Sequence, residues 1–214
     1  MLGMEILLAV GIGIGLSSVA GVRAFLPLAL AALPHSFLLN APNVLVPFSS
    51  SETLLWVLVA LAVLECVVDK FAALDRLLNW AMVPVRAAAG VVLFAMVMVV
   101  EDPFGRVSSQ GTLQTWTLSE AVSPLVPWLL AGAAIAGAVA VAKVLLRPPA
   151  KAASTGVSPT FLSVFEDVVA LVGGILGFFV PFVSVLLVAF LLFFYYRVRR
   201  RRGRKFGGLR ILGD

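Results

Sequence analysis

One arginine stands alone in the first apolar stretch of this chain. Residues 6–33 contain no charged residue except Arg23, which lies in "SSVAGVRAFLPLAL" at 17–30. A charge at the centre of a bilayer costs about 2.5–3.5 kcal/mol on insertion scales, so Arg23 needs an interface, a carboxylate partner or a cavity that holds an anion. The glycines before Arg23 and Pro27 after it favour a break in the helix, which would supply such a surrounding.

Two carboxylates follow in "LECVVDKFAALDR" at 64–76. Glu65 and Asp69 are four residues apart and therefore share one face of a helix. Poor hydration and mutual repulsion both favour the protonated form of such a pair, which makes Glu65 a candidate proton carrier. The alternative is that both acids form structural ion pairs with Arg86 or Lys143.

A second acidic pair comes late in the chain, in "FLSVFEDVVAL" at 161–171. Lys143 and Arg147 precede it at i, i+4 spacing, close enough along the chain to pair with Glu166 and Asp167. These charges would line an inner vestibule or lock the helices together. The predicted proton-coupling residues are thus Glu65, Asp69, Glu166 and Asp167. The predicted substrate-binding residues are Arg23, Pro27, Arg86, Lys143 and Arg147. No catalytic residue is assigned.

The composition indicates the class of fold that positions these residues. The 214 residues are 61% hydrophobic and 13% charged, with a mean hydropathy of +1.08, whereas soluble domains are nearer ~50% and ~25%. We therefore predict an all-α polytopic membrane protein with about four to six membrane segments. The single histidine and single cysteine argue against a zinc site and an intrachain disulfide. We expect no metal and no cofactor.

Segments 1 and 5 do not fit simple spanning helices. The five predicted apolar segments cover residues 6–33, 53–68, 83–100, 125–146 and 161–196. Segment 5 is predicted to be a hairpin turning within 173–181, where three glycines and Pro181 allow a break, so that it forms two short spans or a re-entrant loop. Segment 1 is either a hairpin, with both ends outside and its tip facing that of segment 5, or one tilted, kinked helix. Residues 69–86 form an amphipathic connector that could lie along the interface.

The basic residues predict an orientation. Connector 69–86 and linker 147–159 carry most of the Lys and Arg between the segments, which places them in the cytoplasm. The tail, 197–214, holds eight of the sixteen Lys and Arg. We predict a single transmembrane domain over 1–196 and a basic cytoplasmic tail that binds anionic lipid headgroups rather than nucleic acid. A homo-oligomer is compatible with this organisation.

Several motifs occur in the order found in one family. They are "GVRAFLPL" (21–28), "ECVVDKFAALD" (65–75), "VPVRAAAG" (83–90), the Lys/Arg pair that closes segment 4, and "SPTFLSVFEDVVAL" (158–171). The chain resembles domain-of-unknown-function family 4126 of bacterial integral-membrane proteins, up to about residue 190. The family pattern has a proline after the Asp-Lys pair, where this chain has Phe71 and Ala72. The resemblance implies a bacterial inner-membrane protein and supplies no activity.

Three functions compete at this point. We favour a small transporter or channel-like protein, with proton coupling as an option, that acts on an anionic solute or lipid headgroup. The alternative is a non-transporting scaffold that holds lipid or a partner protein. An intramembrane enzyme is the least favoured, because no activated serine or cysteine accompanies the acids, and we expect that the protein is not an enzyme.

Overall fold

The fold is a bundle of α-helices. A computed structural model describes residues 2–33, 52–69, 75–100, 126–147 and 159–207, and every regular element within those ranges is helical. The helices are α1 (Leu2–Val22), α2 (Phe25–Ala31), α3 (Glu52–Val68), α4 (Asp75–Val100), α5 (Val126–Leu146), α6 (Pro159–Phe179) and α7 (Pro181–Gly207). The predicted all-α class is confirmed.

Four of the described helices are long and apolar enough to cross a membrane. Their spans are Asn79–Met98, Val126–Leu146, Thr160–Phe179 and Phe182–Arg200, and α1 adds a shorter apolar stretch, Leu7–Val22. Large apolar side chains such as Leu130 and Leu186 are about two-thirds exposed. Such exposure is expected of a surface that faces lipid, because the bilayer itself is apolar. The protein is therefore a multi-pass membrane protein.

Small residues bring α4 and α5 into close contact. A Cβ placed on Gly90 would lie 2.4 Å from the Cβ of Ala136 and 2.5 Å from the carbonyl oxygen of Gly132. Only glycine leaves room for this approach. Helices in lipid gain much of their association energy from such close packing, since no hydrophobic effect drives them together.

Helices α1 and α2 form a hairpin, which decides between the two predicted forms of segment 1. Ser17 donates a hydrogen bond to the carbonyl of Gly90 (3.1 Å), and Gly13 lies against Phe94, so α1 runs antiparallel to α4. The positions of Gly173 and Gly174 contact Val19 and Leu30 respectively. Val19, before Arg23, and Leu30, after it, thus contact adjacent positions of α6. This requires the chain to reverse direction at Arg23.

Segment 5 is a hairpin of two spanning helices, which confirms the predicted break and the two-span alternative. The re-entrant alternative is wrong, and the two spans are longer than predicted. The break falls at Val180, just before Pro181, and the spans on either side contain 20 and 19 residues. Glycines 173, 174 and 177 lie inside α6, where they admit the side chains of Val19, Leu30 and Leu16. These glycines serve packing rather than the turn.

The two hairpin tips lie at opposite ends of the bundle. The Arg23 tip contacts the first half of α6 at Asp167, whereas the other tip follows the last residue of α6. The expectation that the two tips face each other is wrong, because α1 runs antiparallel to α6. We call the end that holds Arg23 the charged end and the other the far end.

The connector is shorter than predicted, and the tail is partly helical. Helix α4 begins at Asp75 and continues through Pro84 to Val100, so 75–82 belongs to the same helix as segment 3. Proline is tolerated inside membrane helices because neighbouring groups and local adjustments satisfy the freed backbone carbonyl. Helix α7 extends into the basic run as far as Gly207. Residues 34–51, 70–74, 101–125, 148–158 and 208–214 lie outside the described residues. They include nearly all of the predicted loops (34–52 and 101–124) and of the predicted linker (147–159).

Candidate functional site: a buried cluster of charges

Eight charged residues meet at the charged end, and we call them the charge cluster. They come from the α1–α2 junction, from α3 and the residue after it, from α4, from α5 and the residue after it, and from α6. The cluster consists of Arg23, Glu65, Asp69, Arg86, Lys143, Arg147, Glu166 and Asp167. Arg23 Nη1 also donates to the backbone carbonyl of Glu65 at 3.4 Å, so one connected network joins helices α1–α5 to α6.

Arg23 is the centre of the charge cluster and is fully buried. Its Nη1 pairs with Asp69 Oδ2. Its Nη2 lies 2.6 Å from Asp167 Oδ1 and 3.6 Å from Glu166 Oε2, and it donates to Ser163 Oγ at 3.3 Å. One guanidinium thus bridges α3 and α6, which uses the planar fork that distinguishes arginine from lysine.

Lys143 and Glu166 form the second part of the charge cluster. Lys143 Nζ lies 2.8 Å from Glu166 Oε2 and 3.8 Å from Asp69 Oδ2, with all three side chains fully buried. Arg147 Nη1 lies 3.5 Å from the same Glu166 oxygen. The Tyr195 hydroxyl of α7 donates to the other carboxylate oxygen of Glu166. Glu166 therefore links α5 to α7.

Glu65 and Arg86 form the third part. Arg86 Nη2 donates to Glu65 Oε1 at 3.2 Å, and Arg86 Nη1 donates to Asn79 Oδ1 at 3.2 Å. Arg86 is fully buried, and Glu65 and Asn79 are nearly so. This pair joins α3 to α4.

The charge cluster also satisfies the backbone where the first hairpin turns. Glu65 accepts hydrogen bonds from the amides of Ala24 (3.1 Å) and Phe25 (3.3 Å), which are the free N–H groups at the start of α2. Lys143 donates to the carbonyl of Val22 (3.0 Å), at the end of α1. Unsatisfied backbone groups in a bilayer cost several kcal/mol each. A carboxylate at a helix N-terminus and a cation at a C-terminus also match the helix dipoles.

The charge cluster is balanced, and two of its cations lie inside the apolar spans. Its four cations face four carboxylates, so its formal charge is zero. Arg86 lies seven residues inside its span and Lys143 three residues inside, which corresponds to a depth of about 5–10 Å. Of the four carboxylate side chains, three are 2% exposed or less and Asp167 is 22% exposed. Asp167 is thus the acid at the edge of the cluster.

Three buried polar atoms of the charge cluster have no hydrogen-bond partner among the described residues: Arg23 Nε, Arg86 Nε and Asp69 Oδ1. Buried polar atoms are nearly always satisfied, often by internal water. Two guanidinium N–H groups thus have donor capacity that none of the described residues uses.

The structure brings together eight of the nine residues to which the sequence assigns a binding or coupling role. Pro27 is the exception. It is buried in the first turn of α2, where its missing N–H is tolerated, and it makes none of the cluster's described contacts. The roles in binding and proton coupling stay predictions.

Sequence reasoning missed three polar partners of the charge cluster: Tyr195, Ser163 and Asn79. Ser163 lies three residues before Glu166, and Asn79 lies seven before Arg86, so helical spacing could have indicated both. Tyr195 stands between an apolar run and the basic tail, where an interfacial aromatic is the usual interpretation. No local signal distinguishes it from exposed Tyr196.

The model of the family described as "Domain of unknown function (DUF4126)" matches residues 10–201, and the chain belongs to this family. No curated protein matches the chain significantly. No solved structure matches it either. The family covers the whole charge cluster.

Proposed function

We propose that this chain is a small transporter in which the charge cluster binds an anion and couples its movement to a proton. The observation that carries the proposal is the buried, balanced set of four cations and four acids at a helix break. Ionisable residues inside a membrane are costly and commonly mark ion or proton pathways. A buried ion pair is also often no more stable than apolar side chains of similar volume, so stability alone does not account for eight charges.

The proposed coupling follows from the charge balance. Asp167 is the most exposed acid of the cluster and pairs directly with Arg23 at 2.6 Å. Protonation of Asp167 would leave four cations against three carboxylates and would free one edge of the Arg23 guanidinium. A small anion at that edge restores the balance, so one proton and one anion enter together.

The broken hairpin supports the same proposal. Many transporter sites lie where discontinuous helices expose backbone groups inside the membrane. Here Glu65 and Lys143 hold both sides of the break. A rearrangement of the cluster therefore changes the position of the α1–α2 tip, which makes the tip a gate at the charged end.

We also propose a bacterial inner membrane as the location, with the charged end and the C-terminus in the cytoplasm. The support is the run of arginines that continues α7 beyond its span, because Lys and Arg are enriched on the cytoplasmic side. The same run would bind anionic headgroups.

The test is anion uptake into proteoliposomes under an inward proton gradient. Radiolabelled acetate, inorganic phosphate and chloride serve as probes. We expect uptake of at least one probe above that of empty liposomes, and its loss in Arg23→Gln and in Asp167→Asn. Leu130→Ala, on the lipid-facing side of α5, is the matched control and should retain uptake.

Two results would overturn the proposal. If the folded wild-type protein moves none of these anions, or if Arg23→Gln and Asp167→Asn both transport normally, the charge cluster is not a coupling site. It would then be a structural lock that holds the broken helix, as the scaffold hypothesis states. Size-exclusion chromatography and thermal unfolding establish that each variant is folded.

A further inference from the structure

An apolar groove lies beside the charge cluster, on the side that faces lipid. It has a volume of about 430 Å³ and lies between α2, α3 and α6. Its walls include Leu26 and Leu30 of α2, Val59 and Val63 of α3, and Leu171 of α6. Val63 and Leu171 are 57% and 43% exposed, so the groove is open to the surrounding bilayer.

Among the residues that line the groove, Cys66 alone has a polar side-chain atom, and its partner Asp167 is adjacent to the lining rather than part of it. Cys66 lines it, and the Cys66 thiol donates to Asp167 Oδ1 at 3.3 Å. Asp167 also precedes Leu171 by one helical turn, which places both on the same face of α6. The partly exposed carboxylate of Asp167 is therefore next to the end of the groove that is nearest the charge cluster.

The length and direction of the groove match one alkyl chain. From Val67, near the charge cluster, to Val59, toward mid-membrane, it follows eight residues of α3, or about 12 Å. A molecule lying in it has its head at Asp167 and its tail toward the bilayer centre, as a molecule of that leaflet does. Because the head would lie about 10 Å inside the span, seven residues from Thr160, a large phospholipid headgroup does not suit it.

The charge balance selects the head group. An anionic head would face the carboxylate of Asp167, and a cationic head would add a fifth positive charge to a balanced set. A neutral hydroxyl donates to Asp167 without changing the net charge. The alkyl chain alone gives little preference, since the bilayer is as apolar as the groove, so the hydroxyl must supply the selectivity.

We propose that this groove binds a single-chain, uncharged amphiphile with a hydroxyl head, whose O–H donates to Asp167. The groove takes a ligand different from the anion proposed above, but it shares Asp167 with the proposed coupling site. Its occupant would cover Cys66 and lie against the edge acid of the cluster.

Cys66 is the only cysteine and reports on the occupancy of the groove. The experiment measures the rate at which N-ethylmaleimide alkylates Cys66 in proteoliposomes, with 1-dodecanol, its methyl ether, dodecylamine or dodecanoate added at equal membrane content. We expect dodecanol to slow alkylation and to bind the groove with about tenfold higher affinity than the ether. This is the factor typical of a hydrogen bond to a charged group.

Two variants make the result specific. Val63→Trp fills the groove from its exposed rim and should abolish the effect of dodecanol. Leu64→Trp, at the next residue of α3 and 56% exposed but outside the groove lining, should keep it. Asp167→Leu removes the acceptor and should reduce dodecanol to the level of the ether.

The proposal is overturned if dodecanol and its ether slow alkylation equally, which would indicate unselective lipid contact. It is also overturned if dodecylamine or dodecanoate is preferred, or if Val63→Trp and Leu64→Trp behave alike. None of these outcomes depends on anion uptake, so the groove and the transport proposal can fail separately.

Discussion

At the scale of single residues, the charges of the cluster depend on one another. Arg86 has Glu65 as its described carboxylate partner, and Glu65 also caps α2. Removing one member of a buried pair leaves the other charge buried without a partner, which is costly. Removing both members leaves no unpaired charge and avoids that cost. The stability of the hairpin tip therefore depends on pairs rather than on individual residues.

The first prediction concerns this pair. Glu65→Gln should destabilise the protein by about 3–5 kcal/mol, because it leaves buried Arg86 without its partner. The double variant Glu65→Gln/Arg86→Met should cost less than the sum of the two single substitutions. Unfolding by denaturant in detergent micelles gives the coupling energy, and strict additivity would show that the two residues do not interact.

The second prediction separates two adjacent tyrosines. Tyr195 is fully buried and donates to Glu166, whereas Tyr196 is 47% exposed. Tyr195→Phe should cost about 1.5–3 kcal/mol, the contribution of a hydrogen bond to a charged group. Tyr196→Phe is the matched control and should leave the thermal midpoint unchanged. Equal effects of the two substitutions would contradict the contact between α7 and the cluster.

At the scale of helices, close packing between α4 and α5 holds two sides of the cluster in place. These helices carry Arg86 and Lys143 respectively. Their separation is fixed where Gly90 contacts Gly132 and Ala136, about one turn from Arg86 along α4 and about two to three turns from Lys143 along α5.

The third prediction tests this contact with one methyl group. Gly90→Ala should destabilise the protein by about 1–3 kcal/mol, because the added Cβ meets backbone and cannot be accommodated without moving a helix. Gly137→Ala on α5 is the control, since its Cβ would meet nothing closer than 3.8 Å. Thermal unfolding compares the two, and equal tolerance of both would show that α4 and α5 are not tightly packed.

The sequence predicted the charges better than it predicted the helices that carry them. Arg23, Glu65 and Glu166 stood out because a charge in an apolar run has few acceptable surroundings, and the acceptable partners were few. The break at Val180 lies within the predicted stretch 173–181, but the glycines of that stretch were wrongly assigned to the turn. Glycines permit both a turn and close packing, and the sequence does not separate these uses. The connector was overextended because the amphipathic start of α4 resembles an interfacial helix.

The roles of Tyr195 and of the groove could not be predicted for a different reason. Both depend on which faces of distant helices meet: Tyr195 on α7 with Glu166 on α6, and Cys66 on α3 with Asp167 on α6. Periodicity shows which residues share a face of one helix and does not show which helix that face contacts.

At the scale of the whole molecule, the arrangement of helices fixes the relative positions of the termini. Helices α1 and α7 both run from the far end to the charged end. The chain therefore begins at the far end, while α7 continues past the charged end. The proposed cytoplasmic location of the arginine-rich end therefore predicts that the N-terminus faces outside.

The fourth prediction tests this arrangement with two matched substitutions. In a Cys66→Ser background, a cysteine at position 203 (Gly203→Cys) should react with a membrane-impermeant thiol reagent only in inverted vesicles. A cysteine at position 3 (Gly3→Cys) should react only in cells whose outer membrane is permeabilised and whose inner membrane is intact. Reaction of both positions from the same side would contradict the course of α1 described above.

The measurement that tests the central claim most directly asks whether the closed charge cluster opens to water. Ser163, which contacts Arg23, and Ser184, near the far-end turn, are both fully buried. Each is changed to cysteine in the Cys66→Ser background, and labelling by a charged methanethiosulfonate reagent is followed from the cytoplasmic side. A gate at the charged end predicts that the cysteine at 163 is labelled and the one at 184 is not. If neither is labelled in folded protein, or both are labelled at the same rate, the charge cluster is not a gate.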